Sequence, residues 1–117
     1  MGKKTSFDKL YIYTSSKKLV TACYALTQTL PAEETTNLAY FIRNAALKAH
    51  LAVVDGIFSE KGKPKKKLLK QATAHFLTID AVIDVLVDVE LVKEEQTKEV
   101  VELASACYQQ LKMLKKK

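Results

Sequence analysis

The chain is predicted to be all-α, an antiparallel up-down-up-down four-helix bundle. Three observations predict this. Apolar residues recur at helical spacing through four long segments. Only 3 Gly and 2 Pro are present, too few for a β protein with many turns. The breaks between segments are short, which sets successive helices antiparallel. With 117 residues, 48% of them hydrophobic and 27% charged, the chain reads as a single domain over 1–117 with a core of its own.

The first helix is expected from about Ser6 to Leu30, with Leu10, Tyr13, Val20, Cys23, Tyr24 and Leu30 at helical spacing. Pro31 ends it by pushing Leu30 out of helical geometry. Pro31 followed by Ala32-Glu33-Glu34 also reads as the start of a second helix, over about 32–58: proline lacks only an amide unpaired in a first turn, and the two Glu suit the positive end of the dipole. Its inner stripe is Leu38, Phe41, Ile42, Ala45, Ala49, Ala52, Val53 and Gly56, and the small residues in it allow a neighbouring helix to come close. Residues 59–64 hold Gly62 and Pro64 and form the clearest break.

The third helix is expected over about 65–90. On a helical wheel Ile79, Val82, Ile83, Val85, Leu86, Val87 and Val89 fill an arc of roughly 200°, wider than one side of a core requires. A second buried contact, between subunits, accounts for the excess. The fourth helix is expected over about 93–115, with Val100, Leu103, Ala104, Cys107, Leu111 and Leu114 inside. No Gly or Pro marks the boundary near Leu91-Val92.

The formal net charge is +6, and its distribution is uneven. In an up-down bundle both termini and the 59–64 break lie at one end. Lys3, Lys4, Lys9, Lys61, Lys63, Lys65, Lys66, Lys67, Lys70, Lys112, Lys115, Lys116 and Lys117 gather there. Glu33, Glu34, Asp84, Asp88, Glu90, Glu94, Glu95 and Glu99 fall at the other end. Lys65, Lys66 and Lys67 oppose the dipole at the start of their helix, as a phosphate-binding cluster would. Lysine without adjacent arginine fits contact with the nucleic-acid backbone, not base readout. The same lysines also read as a solvated linker and tail. No exposed aromatic platform for stacking single-stranded bases is evident. Asp80, Asp84 and Asp88 share one face at i, i+4, i+8, which fits a solvated face, docking against a basic surface, or metal chelation.

No catalytic or metal motif is present: no HExxH, no paired CxxC, no phosphate-cradling glycine loop. His50 and His75 fall at similar heights on the second and third helices, but neither follows a Glu at the spacing of a di-iron bundle. Cys23 and Cys107 sit in apolar helical patterns at different heights, so free buried thiols in a reducing cytoplasm are expected. Tyr11, Tyr13, Tyr24, Tyr40 and Tyr108 are expected to cap core edges or to line an oligomer interface. No apolar run approaches the roughly 20 residues of a membrane span. The start of the chain has no apolar stretch of a secretory leader; Met1-Gly2 with Ser6 matches the loose myristoylation pattern, but ordinary start residues of a cytosolic protein are the expected reading.

Leu38-Ala39-Tyr40-Phe41-Ile42-Arg43-Asn44-Ala45-Ala46, followed by Val53-Val54-Asp55-Gly56, resembles a helix of the four-helix-bundle family of 23S ribosomal RNA intervening-sequence proteins. Phe7-Asp8-Lys9-Leu10-Tyr11-Ile12-Tyr13 and Leu30-Pro31-Ala32-Glu33-Glu34 are similar to that family too. His50 and Ala52 replace residues usual there, and lysines replace its arginine-rich stretch. Leu69-Lys70-Gln71-Ala72 and Asp88-Val89-Glu90-Leu91-Val92, with Gln96, resemble the accessory variability determinant (Avd) proteins of diversity-generating retroelements. Those proteins tend to carry Arg where Asp80 and Asp84 stand here.

Both resemblances imply a ring-like homo-oligomer such as a pentamer, with no enzymatic activity and no cofactor. The first implies association with ribosomal RNA. The second implies an RNA- or DNA-binding partner of a reverse transcriptase. The nucleic-acid-binding set expected is Lys61, Lys63, Lys65, Lys66, Lys67 and Lys70, supported by Lys115, Lys116 and Lys117. Arg43 is a secondary candidate, its other role being an ion pair across the interface.

Overall fold

A computed structural model describes residues 7–59 and 63–116, and the side chains of residues 10–59 and 65–114. Within them the protein is all-α, with four helices and no strand: α1 (Phe7–Thr27), α2 (Leu38–Phe58), α3 (Lys63–Asp88) and α4 (Lys98–Lys116). Helix α2 packs on α1 and most extensively on α3, and α4 packs on α1 and α3. Ser16 meets His50 and Thr27 meets Arg43, so α1 and α2 run in opposite directions. One hydrophobic core draws on all four helices, with Ile12, Leu19, Ile42, Val53, Leu69, Phe76, Ile79, Leu86, Val100 and Leu111 among its fully enclosed side chains.

The apolar face of α1 differs from the expected one. Leu10 and Tyr24 are 55% and 42% exposed, while Ile12, Leu19, Ala22, Cys23 and Leu26 are buried together with Ser15 and Ser16. The two serines occupy core positions and interrupt the hydrophobic pattern, which shifts the apparent stripe. Ser16 is accommodated by hydrogen bonding: its hydroxyl lies 3.2 Å from the Tyr13 carbonyl and 2.7 Å from His50 Nδ1. In α2, Phe41 lies outside, 52% exposed, and Ala39, Ala46 and Ile57 join the buried face.

The small-residue face of α2 packs as expected. Ala45, Ala49, Ala52 and Gly56 are all buried. A Cβ placed on Gly56 would lie 2.7 Å from Leu69 Cδ2 and 3.2 Å from Leu69 Cγ, so α3 approaches closely enough that a side chain there requires Leu69 to shift.

Several helix ends fall away from their expected places, the start of α4 at Lys98 included. Helix α1 stops at Thr27, where the hydroxyls of Thr27 and Thr29 bond the last carbonyls (Thr27 Oγ1 to Cys23 O, 2.7 Å; Thr29 Oγ1 to Leu26 O, 2.7 Å). Pro31 starts only a 3₁₀ turn, Ala32–Glu34, and α2 begins at Leu38. Thr35, Thr36 and Asn37 are poor helix formers, and Glu34 Oε1 accepts from Asn37 Nδ2 and the Leu38 amide in place of a helical carbonyl. Helix α3 begins at Lys63, so Pro64 sits inside the helix in its first turn, where its missing amide costs nothing.

The unmarked boundary after α3 is a Schellman turn. The Leu91 amide donates to Leu86 O and the Glu90 amide to Val87 O, both at 3.0 Å, and Glu90 takes the left-handed conformation at φ 62°. A 3₁₀ turn over Glu94–Thr97 then precedes α4.

Candidate nucleic-acid interface

The lysines are placed by the start of α3. Lys66, Lys67 and Lys70 are exposed, and no acidic residue stands in that first turn. Lys66 and Lys70 flank buried Leu69 by one turn or less, so the wall that packs against Gly56 fixes the helix that carries them. Lys65 is half-buried and engaged by a neighbouring group. Lys61 and Lys117 lie outside the described residues. Lys63 and Lys115–Lys116 lie in α3 and α4, with side chains outside the description. On α4, exposed Lys112 sets its ammonium 5.0 Å from the centroid of the Tyr108 ring.

Arg43 does not join the lysines. It sits near the start of α2, thirteen residues or about 20 Å of helix from Gly56, where α3 begins its contact. Its Nε–H donates to Thr27 Oγ1 at 2.7 Å, and its guanidinium lies 4.7 Å from the Tyr24 ring centroid. The Thr27 hydroxyl is buried and spends its own proton on the carbonyls of α1, leaving a lone pair for Arg43. Tyr40 and Phe41 beside it are each 52% exposed, in an edge-to-face pair with centroids 5.5 Å apart. The expectation that no aromatic platform is exposed is therefore corrected. Helical spacing places tyrosines at core edges and does not reveal which of them the neighbouring helix leaves uncovered.

The acidic face is also outward. Asp80, Asp84 and Asp88 are exposed. Asp80 and Asp84 border a cleft with Glu94, Thr97, Val87 and Val101 between the end of α3 and the start of α4. Desolvation raises the Asp80 carboxyl above its ordinary value. Among the described residues no group of three or more His, Cys, Asp or Glu is arranged to hold a metal ion.

His50 and His75 serve separate surroundings. His50 Nδ1 lies 2.7 Å from Ser16 Oγ and its ring packs at 5.3 Å from Tyr13. Burial, then the charge of Lys17, lowers its pKa. Ser16 is fully enclosed, and the pair ties α1 to α2. Burial, then Lys48, lowers the pKa of His75. Cys23 and Cys107 are free and buried, and burial pushes both thiols up to about 12.

Large apolar side chains remain uncovered on all four helices, Leu10 on α1 and Val101 and Met113 on α4 among them. The wide arc of α3 divides into buried Ile79, Ile83 and Leu86, half-buried Val82 and Val87, and exposed Val85 and Val89. Helix α2 adds Leu47, Leu51 and Phe58, 42–51% exposed at helical spacing, which the sequence pattern hid behind its small-residue stripe. Among the described residues no helix is long and apolar enough to cross a membrane. No protein-family model and no curated protein matches this chain.

Proposed function

We infer that this chain is a non-enzymatic, basic four-helix bundle of up-down-up-down topology that works in the cytoplasm as a homo-oligomer and binds nucleic acid, RNA first of all. The observation that carries the reading is the exposed Lys66-Lys67-Lys70 cluster on the opening turns of α3, with no acidic residue in the first turn. Placing cations at a helix N-terminus costs roughly 0.3–1 kcal/mol each at low salt, a cost that bound phosphates offset. Lys61, Lys63, Lys65, Lys115, Lys116 and Lys117 complete the set in this reading. The motif resemblance to intervening-sequence proteins supports RNA as the polyanion. The outward Val85, Val89, Leu47, Leu51 and Phe58 support a homo-oligomer, a pentamer by the same resemblance.

The test is fluorescence anisotropy with structured RNA. Binding is expected to weaken about a hundredfold or more between 50 and 200 mM salt if 4–6 phosphates are engaged. It should disappear in the triple variant Lys66→Glu, Lys67→Glu, Lys70→Glu. Affinity indifferent to salt and to these changes overturns the reading. A reverse transcriptase as partner, the Avd-type variant of the reading, would appear as RNA-independent co-purification with that enzyme.

The acidic cleft of Asp80, Asp84 and Glu94 over Val87 and Val101 favours a second reading, a protein-interaction module whose basic end only solubilises. A partner that survives nuclease treatment and is lost on Asp84→Lys would establish it.

A further inference from the structure

We propose that Arg43, with Tyr24 and Tyr40, forms a separate site for an unpaired nucleotide, the phosphate on the open edge of the guanidinium and the base on the Tyr40 ring. This rests on the reading that the chain binds RNA, and it adds a site that the lysine cluster does not provide.

The guanidinium is fixed on one side only. Nε–H is held by buried Thr27, and the plane is set against Tyr24. Among the described residues no carboxylate pairs with it, and no buried side-chain nitrogen lacks a partner. The remaining N–H groups of half-buried Arg43 are therefore open to solvent. A guanidinium anchored through Nε, with solvent-accessible terminal N–H groups, matches the two oxygens of a phosphate.

The aromatic surroundings distinguish a nucleotide from a bare anion. Tyr40 lies three residues before Arg43 on α2, so the two side chains are neighbours on the helix surface. Its ring is half open to solvent and stands edge-to-face with that of Phe41. Tyr24, over whose ring the guanidinium lies, is 42% exposed. A base inside a duplex has no free face to offer, so the site selects single strands, loops or bulges. A protein carboxylate would satisfy Arg43 equally, and the net charge of +6 attracts either anion, but a carboxylate leaves the flanking rings unexplained.

The experiment compares a labelled ten-nucleotide single strand, a hairpin stem of matching length and a 5′-mononucleotide by anisotropy and competition, on the full chain. Wild type is expected to prefer the single strand to the stem, and the mononucleotide to compete only weakly. Tyr40→Ala is expected to lower single-strand affinity about tenfold, Tyr40→Phe to retain it, and Arg43→Lys to weaken it about fivefold. Because Tyr40 is exposed, its variants keep the test decisive if an Arg43 variant misfolds. Wild-type affinity in Tyr40→Ala and Arg43→Lys, with binding lost only in the Lys66/Lys67/Lys70 variant, overturns this site and leaves the lysine interface standing. Equal wild-type affinity for stem and strand also overturns it. Absence of RNA binding by wild type overturns both. Binding of an acidic peptide, abolished by Arg43→Lys while RNA binding is unchanged, assigns the site to a protein instead.

Discussion

Among the described residues Glu90 is the one non-glycine residue with positive φ, 62°, and it stands at the position of a Schellman turn where glycine is usual. A side chain in that conformation costs roughly 1–2 kcal/mol, so Glu90→Gly is expected to stabilise the protein by about 1 kcal/mol. A higher urea midpoint with an unchanged m-value would show it. At Cys23 and Cys107, burial removes the thiolate: with pKa values pushed up to about 12, both should resist iodoacetamide at pH 8 in the native protein and react promptly in urea. Mass spectrometry of the alkylated chain reads this directly. The histidines give a pH dependence. His50 and His75 both titrate lower in the folded protein than in the unfolded chain, so the unfolded state binds more protons as the medium acidifies. Stability is fully present above the unfolded value of about 6.5 and is lost as pH falls through the lowered folded values. The melting temperature should drop between pH 7.5 and 5, less so in His50→Gln.

At the scale of the element, the α2–α3 contact is the most sensitive. Gly56→Val places a branched side chain where even a Cβ meets Leu69 at 2.7 Å, and Leu69 is itself buried with little room to retreat. Overpacking of this kind is expected to destabilise by about 2 kcal/mol, measured by urea unfolding. This contact was legible from sequence because alanines and a glycine at helical spacing have no other purpose in an apolar stripe. The four helices and the inner face of α4 were legible for the same reason: periodicity survives without knowledge of the partner helix. The face of α1 was not, because Ser15 and Ser16 fill core positions, one with its hydroxyl spent on Tyr13 and His50. The helix ends were hidden by chemistry that spacing does not carry: a proline one residue inside α3, threonine hydroxyls closing α1, and a glutamate where a C-terminal glycine belongs. The lysine cluster could be read from the chain directly, whereas the Arg43 surroundings require α1 and α2 to be brought together through Thr27 and Tyr24.

The whole molecule measures 45 × 22 × 21 Å with a radius of gyration of 14.7 Å. That is longer than the roughly 13 Å expected of a compact chain of this size, and the long axis suits the length of α3. Unfavourable placement of charge along that helix gives a property of the protein as a whole. Lys63, Lys65 and Lys66 stand in its first turn and Asp84 and Asp88 at its last, so both ends oppose the dipole. Added salt screens these terms, and the melting temperature is expected to rise between 20 and 500 mM sodium chloride; a fall would mean that favourable ion pairs dominate. The same experiment in Asp84→Lys should show a weaker dependence on salt.

The distance between those charges has its own consequence. Lys66 and Asp84 are eighteen residues apart on one rigid helix, about 27 Å, more than three times the roughly 8 Å over which charge is felt at physiological ionic strength. The two ends of α3 are electrostatically deaf to each other. A polyanion held by the lysines is not repelled by the aspartates, and neutralising one end leaves the other unchanged.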